Sequence, residues 1–218
     1  MQLHPTTYPT TQTSPPVVSG LDAYSLLVSW PELAGYSNVI YQVFASGSGV
    51  PQVTTNNYLI VRGLSPSTTN RYRLSYLLSN GQVSPLSEAG TGSTWGPDNN
   101  YDGLPDDWQA RYWGPDPTKW PAPGADSDGD GASNLAEFLA GTDPTDPSSV
   151  LRTRVGATRE GLLVSWNSVP GYIYQLQSSP NLRQWTTTGS PRFAAGVTTS
   201  LLVPTAEVTT YYRVIRVR

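Results

Sequence analysis

Between Asp126 and Glu137 the chain reads D-S-D-G-D-G-A-S-N-L-A-E. Carboxylates recur at the first, third and fifth positions (Asp126, Asp128, Asp130), and Gly131 stands sixth, where a chain wrapping a small ion must turn sharply. Ala132 follows as a seventh-position carbonyl, Asn134 is ninth, and Glu137 closes the stretch at the twelfth with a carboxylate able to bind through both oxygens. Hard divalent cations take roughly six to eight oxygen ligands, and this order supplies them around one point; the chemistry expected is calcium binding. An acidic turn entering a helix would not need carboxylates that alternate.

A second copy starts about 28 residues upstream. Asp98, Asn100 and Asp102 take its first, third and fifth positions, Gly103 the sixth, Leu104 the carbonyl position and Asp106 the ninth. Gln109 replaces the closing Glu. This copy has fewer carboxylates, so two ions are expected, with the upstream one held more weakly. Each loop runs into a short helical stretch and leaves through a similar turn, Gly114-Pro115-Asp116-Pro117-Thr118 or Gly141-Thr142-Asp143-Pro144-Thr145. Asp116, Asp143 and Asp146 could complete the coordination or cap those turns, and the sequence leaves both roles open.

The elements that would position these loops are β-strands. The 218 residues include 20 Gly and 20 Pro, and short aromatic and β-branched runs are punctuated by turn residues. The fold class expected is mainly β: two β-sandwich-type modules joined by a short calcium-binding segment with two short helices. Residues 19–95 form the first module, 96–149 the joint and 150–218 a smaller second module. With no cysteine, stability must come from cores and metal. No apolar run is long enough to span a membrane.

Leu26-Leu27-Val28-Ser29-Trp30 reads as an early strand, followed by Val39–Phe44, Asn57–Val61 and Tyr72–Leu77. The Pro15-Pro16 entry, Trp30, the Leu64–Thr68 turn and Tyr72 give residues 19–95 a resemblance to fibronectin type III domains, with the tyrosine two residues later than usual. That resemblance implies a β-sandwich and by itself no activity. Residues 96–149 resemble the paired EF-hand-like calcium segments of thrombospondin type 3 and dockerin-like repeats, as found in secreted bacterial modular proteins. Their small size implies that the ion organises them. In the last module Leu162–Trp166 repeats the wording of Leu26–Trp30, and Tyr174-Gln175-Leu176 echoes Tyr41-Gln42-Val43. The closing run Thr210–Arg218 alternates to its end and should lie paired in a sheet.

Charge is segregated: residues 96–149 carry a net −9, residues 150–218 a net +6, and residues 1–95 balance. The basic end lacks any nucleic-acid-binding motif, so packing against the acidic segment is the better reading. Catalysis has little to work with. The single histidine, His4, sits in a Thr- and Pro-rich leading segment, there is no thiol, and most acids are committed to the loops. Residues 1–18 form an extended piece that could add as a strand to another copy's sheet edge. Seven Trp are present, four of them (Trp95, Trp108, Trp113, Trp120) close together, so a glycan partner is the competing expectation to a small aromatic core. The function expected is a non-catalytic, calcium-stabilised extracellular structural or adhesion protein able to self-assemble. The alternative is the accessory, carbohydrate-binding region of a secreted polysaccharide-degrading enzyme.

Overall fold

The computed structural model describes residues 14–205 and 209–218. The docking strand expected within residues 1–18 therefore lies mostly outside the described residues. Its last part belongs to the first module, because Val17–Gly20 is strand β1 and pairs with β2 (Leu26–Ser29). Two β-branched residues after Pro15-Pro16 are enough to start a strand there.

The remaining strands of this module are β3 (Ile40–Ala45), β4 (Gln52–Thr54), β5 (Tyr58–Val61), β6 (Thr69–Leu77) and β7 (Gly90–Ser93). They make two antiparallel sheets, ordered β1-β2-β5 and β4-β3-β6-β7. Leu26, Val28 and Trp30 from one sheet meet Tyr41, Val43, Leu74 and Tyr76 from the other, a fibronectin type III-like sandwich core. Trp30 and Tyr41 pack with ring centroids 5.2 Å apart, and the Tyr41 hydroxyl accepts from the Leu33 amide. β1 also lies against β7, where glycine is required: a methyl at Gly90 or Gly92 would strike the carbonyl of Pro16 or Val18.

The joint contains two helices, α1 (Asp106–Trp113) and α2 (Asn134–Ala140), with a 3-10 turn at Pro117–Lys119 between them. Asp106 and Asp107 in the first turn of α1 favour its positive end. Ser133 caps α2 by accepting from the Ala136 amide, and Gly141 ends it in the left-handed conformation. The helices share a small core of Leu104, Trp108 and Phe138, flanked by Trp95, Tyr112 and Trp113.

The last module comprises β8 (Thr153–Ala157), β9 (Leu162–Asn167), β10 (Ile173–Ser179), β11 (Thr186–Thr187), β12 (Arg192–Phe193), β13 (Thr198–Val203) and β14 (Tyr211–Arg216). One sheet runs β8-β9-β13; in the other, β10 pairs with β11, β12 and β14. This repeats the first module. Trp166 on β9 meets Tyr174 on β10, and the Tyr174 hydroxyl accepts from the Val169 amide as Tyr41 does from Leu33. Both indole N–H groups, of Trp30 and Trp166, are buried without a partner.

The two β modules also touch directly, beside the joint that connects them. All four residues of β2 are buried. Leu26 and Val28 fill their own sandwich, while Leu27 turns the other way and packs with Leu21 and Ile173. The Ser29 hydroxyl donates to the Gly171 carbonyl across the same contact.

Candidate metal centre

In the loop from Asp126 to Glu137 each early carboxylate first shapes the backbone. Asp126 accepts from the amides of Gly129 (2.8 Å) and Gly131 (2.9 Å). Asp128 Oδ1 accepts from Asp130 N at 3.2 Å, and Asp130 Oδ1 from Ala132 N at 2.7 Å. Gly129 and Gly131 sit at φ of 83° and 98°, where side-chain-bearing residues are strained. The carboxylates of Asp126, Asp128 and Asp130 thereby come within 4.8 Å of one another.

The other oxygens are left over. Asp128 Oδ2, Asp130 Oδ2 and both carboxylate oxygens of Glu137 are buried with no hydrogen-bond partner. Glu137 is 0% exposed, delivered into the loop from the first turn of α2. Burial, then the nearby Asp128 and Asp130, push its pKa up to about 7. Burial likewise raises Asp128, with Asp130 and Asp126 adding to it. Buried carboxylate oxygens facing one another without donors are costly, and a divalent cation is the partner that such a donor set fits.

Asn134 is also fully buried, but its side chain is engaged: Oδ1 accepts from Ser127 Oγ and Nδ2 donates to the Ala122 carbonyl. It buttresses the loop from behind. Ala132 follows the Gly131 turn with its amide tied to Asp130, at the position expected to offer a carbonyl.

The upstream loop has the same backbone scheme and a different filling. Asp98 accepts from Gly103 N and Asp102 Oδ1 from Leu104 N, as Asp126 and Asp130 do at the matching positions, and Asp98 also accepts from Asp102 N where Asp126 takes Gly129 N. Here the side-chain amides of Asn100 and Gln109 both donate to Asp102 Oδ2, at 3.0 and 2.9 Å. Asp106 is drawn off to the amide and side chain of Asn99. Gln109 Oε1 alone is buried without a partner. A neutral amide in place of the closing carboxylate leaves one buried oxygen unpartnered in the upstream loop, against four in the downstream one.

The exit aspartates are placed in their turns. Asp116 Oδ1 accepts from the amide and hydroxyl of Thr118, Asp143 Oδ1 from those of Thr145, and Asp146 Oδ1 from those of Ser148. Those hydrogen bonds, the side-chain one foremost, lower the pKa of Asp116 and of Asp146. Asp143 also lies near enough to Glu137 to contribute to its raised pKa.

Sequence reasoning missed three arginines. Arg152 donates to the Asp130 carbonyl at 3.1 Å, fastening the last module to the loop. Arg216 is buried, lies 3.8 Å from the Tyr172 ring and donates to Ser19 Oγ. Arg218 lies over the Phe138 ring and donates to the carbonyls of Phe138 and Leu21. Opposed charge blocks do meet, but the arginines take carbonyls and rings. Among the described residues the one ion pair is Lys119 with Asp116.

The tryptophans are occupied by packing. Trp108 is buried against Tyr112, Trp113 and Phe138, Trp120 donates its indole N–H to the Gly114 carbonyl, and Arg213 stacks on Trp185. None of the seven ranks among the exposed large side chains.

No family model and no curated protein matches the chain. Among solved structures it is similar to the sixth fibronectin type III domain of human fibronectin type III domain containing protein 3, with 25% identity over 45% of this chain and 99% of that one, TM-score 0.35. The fn3 domain of human collagen alpha-1(XX) chain matches with 20% identity over 45% of this chain and 96% of that one, TM-score 0.33. The chicken CNTN1 FN1-FN3 domains match with 12% identity over 96% of this chain and 59% of that one, TM-score 0.34. The strand order and the shared core define the first module as a β-sandwich. No helix among the described residues is long and apolar enough to cross a membrane.

Proposed function

We propose that this chain is a non-catalytic, calcium-stabilised structural or adhesion protein that works outside the cell. One observation carries the reading: the partnerless buried oxygens of Asp128, Asp130 and Glu137. An ion there would neutralise the mutual repulsion and fix the start of α2. That helix holds Phe138, on which Trp95, Trp108 and Arg218 converge, so the ion would set the loop, both helices and the end of the last module together. An extracellular setting, where calcium is plentiful, keeps such a clasp loaded. The upstream loop, with fewer unpartnered oxygens, would take a second ion more weakly, after its amides turn their oxygens inward.

Isothermal titration tests this. The expected result is one tight and one weaker calcium site, with Asp128→Ala plus Glu137→Ala removing the tight one and Asp98→Ala plus Asp102→Ala the weaker. A flat titration of the intact chain would overturn it.

Self-association by strand addition belongs to the same reading, and the repeat between the modules supports it. In the first module β7 covers the outer edge of β6; no strand among the described residues covers the corresponding edge of β14. Sedimentation should show assemblies that disappear when Gln2–Thr13 is deleted. A monodisperse monomer at high concentration with calcium present would contradict it.

A further inference from the structure

Where the first module, the helices and the last module meet, they enclose a cleft of about 440 Å³. Asp107 and Trp108, at the end of the upstream loop, form part of its wall, and none of the downstream carboxylates lines it. Its walls include the rings of Trp95, Trp108, Tyr112 and Tyr172 and the side chains of Arg111 and Arg216. Small-molecule sites have this character: concave, of this size, aromatic-lined, with a few convergent polar groups at a module interface.

The polar groups indicate the ligand. Arg216 is 6% exposed, yet no carboxylate pairs with it or with Arg111 among the described residues. Its hydrogen bonds run through Nη2 alone, to Ser19 Oγ at 3.1 Å and the Gly20 carbonyl at 3.4 Å, and its Nε is buried with no partner. Tyr172 holds the guanidinium plane in place. Arg111 sits with its guanidinium carbon 5.7 Å from the Tyr112 ring centroid, on the helix that also presents Asp107 to the cleft. A buried cation without an anion is expensive, and a planar fork is suited to a carboxylate. Asp107, Ser93 and Thr142 add hydrogen-bonding groups around the same space. Aromatic residues beside hydroxyls and a carboxylate acceptor suit a ring bearing several hydroxyl groups.

We propose that this cleft binds a carboxylate-bearing sugar, its carboxylate directed to Arg216 and Arg111 and its hydroxyls to Asp107. The site moves carbohydrate recognition from exposed tryptophans, which this surface lacks, to a junction that sequence reading could not locate. Neither Arg111 nor Asp107 is among the loop oxygens proposed to hold calcium, so variants at these two positions test the cleft without removing an ion ligand.

Intrinsic tryptophan fluorescence reads the site, since Trp95 and Trp108 line it. The full chain would be titrated with galacturonate, galactose and acetate at a fixed excess of calcium. Galacturonate should saturate a fluorescence change, with galactose and acetate each weaker by about tenfold or more. Arg111→Gln should weaken galacturonate by a similar factor while moving the melting temperature by no more than about 2 °C. Asp107→Asn should weaken galacturonate and leave acetate unchanged. Equal binding of galactose would overturn the role of the arginines, equal binding of acetate would overturn the sugar, and no response to galacturonate would overturn the site.

Discussion

At the residue scale Glu137 concentrates the account. Burial raises its pKa from 4.5 to about 7, outweighing the opposite pull of the nearby Thr142 hydroxyl. A carboxyl whose folded pKa lies above its unfolded value favours the fold most below the unfolded value. The metal-free protein should therefore lose ~3 kcal/mol from this group as pH rises from below 4.5 through 7, read as a falling melting temperature in chelator. With calcium the trend should reverse, because below pH 7 protons compete with the ion. Glu137→Gln separates the two states. In chelator it should stabilise by ~1–3 kcal/mol through relief of carboxylate repulsion, and in calcium it should destabilise relative to the parent. Destabilisation in both conditions would mean that Glu137 has a structural partner other than an ion. The grouping of Asp126, Asp128 and Asp130 was legible because alternate residues of a tightly turned loop bring their side chains together locally. That Asn100 and Gln109 fill the upstream loop was not, since it depends on how two amides settle around Asp102.

At the scale of elements the strands with alternating apolar residues were legible, and so was the repeat. Leu26–Trp30 and Leu162–Trp166 place their tryptophans in equivalent cores, each against a tyrosine whose hydroxyl accepts a loop amide. Burial of β2 on both faces could not be read from Leu26-Leu27-Val28-Ser29, because an outward leucine signals a partner without naming it. The close passage of β1 over β7 was equally hidden, since Gly90 and Gly92 look like turn residues in sequence. Gly92→Ala should cost ~1–3 kcal/mol, measured by urea unfolding, since its methyl would meet the Val18 carbonyl, part of the backbone. A neutral result would show that β1 is free to shift off β7.

Across the whole molecule three contacts hold the last module in place: the apolar patch around Leu21, Leu27 and Ile173, the Arg152 bond to the Asp130 carbonyl, and the terminal Arg216 and Arg218. Sequence reading reached the charge segregation and the paired terminal strand, but the arginine partners are carbonyls and rings brought together only by the fold. Leu21 packs in the patch between modules and outside the first sandwich's own core. Leu21→Ser should therefore loosen the assembly by ~2–5 kcal/mol while leaving that sandwich folded. Small-angle scattering should show a larger radius of gyration; an unchanged radius would mean that the arginines and the joint suffice for alignment.

The claim that a bound ion holds this joint is tested most directly by scanning calorimetry of the intact chain in calcium and in chelator, beside Asp128→Ala plus Glu137→Ala. Calcium should raise the parent's melting temperature and leave that of the double variant unchanged. A parent melting at one temperature in both conditions would contradict it.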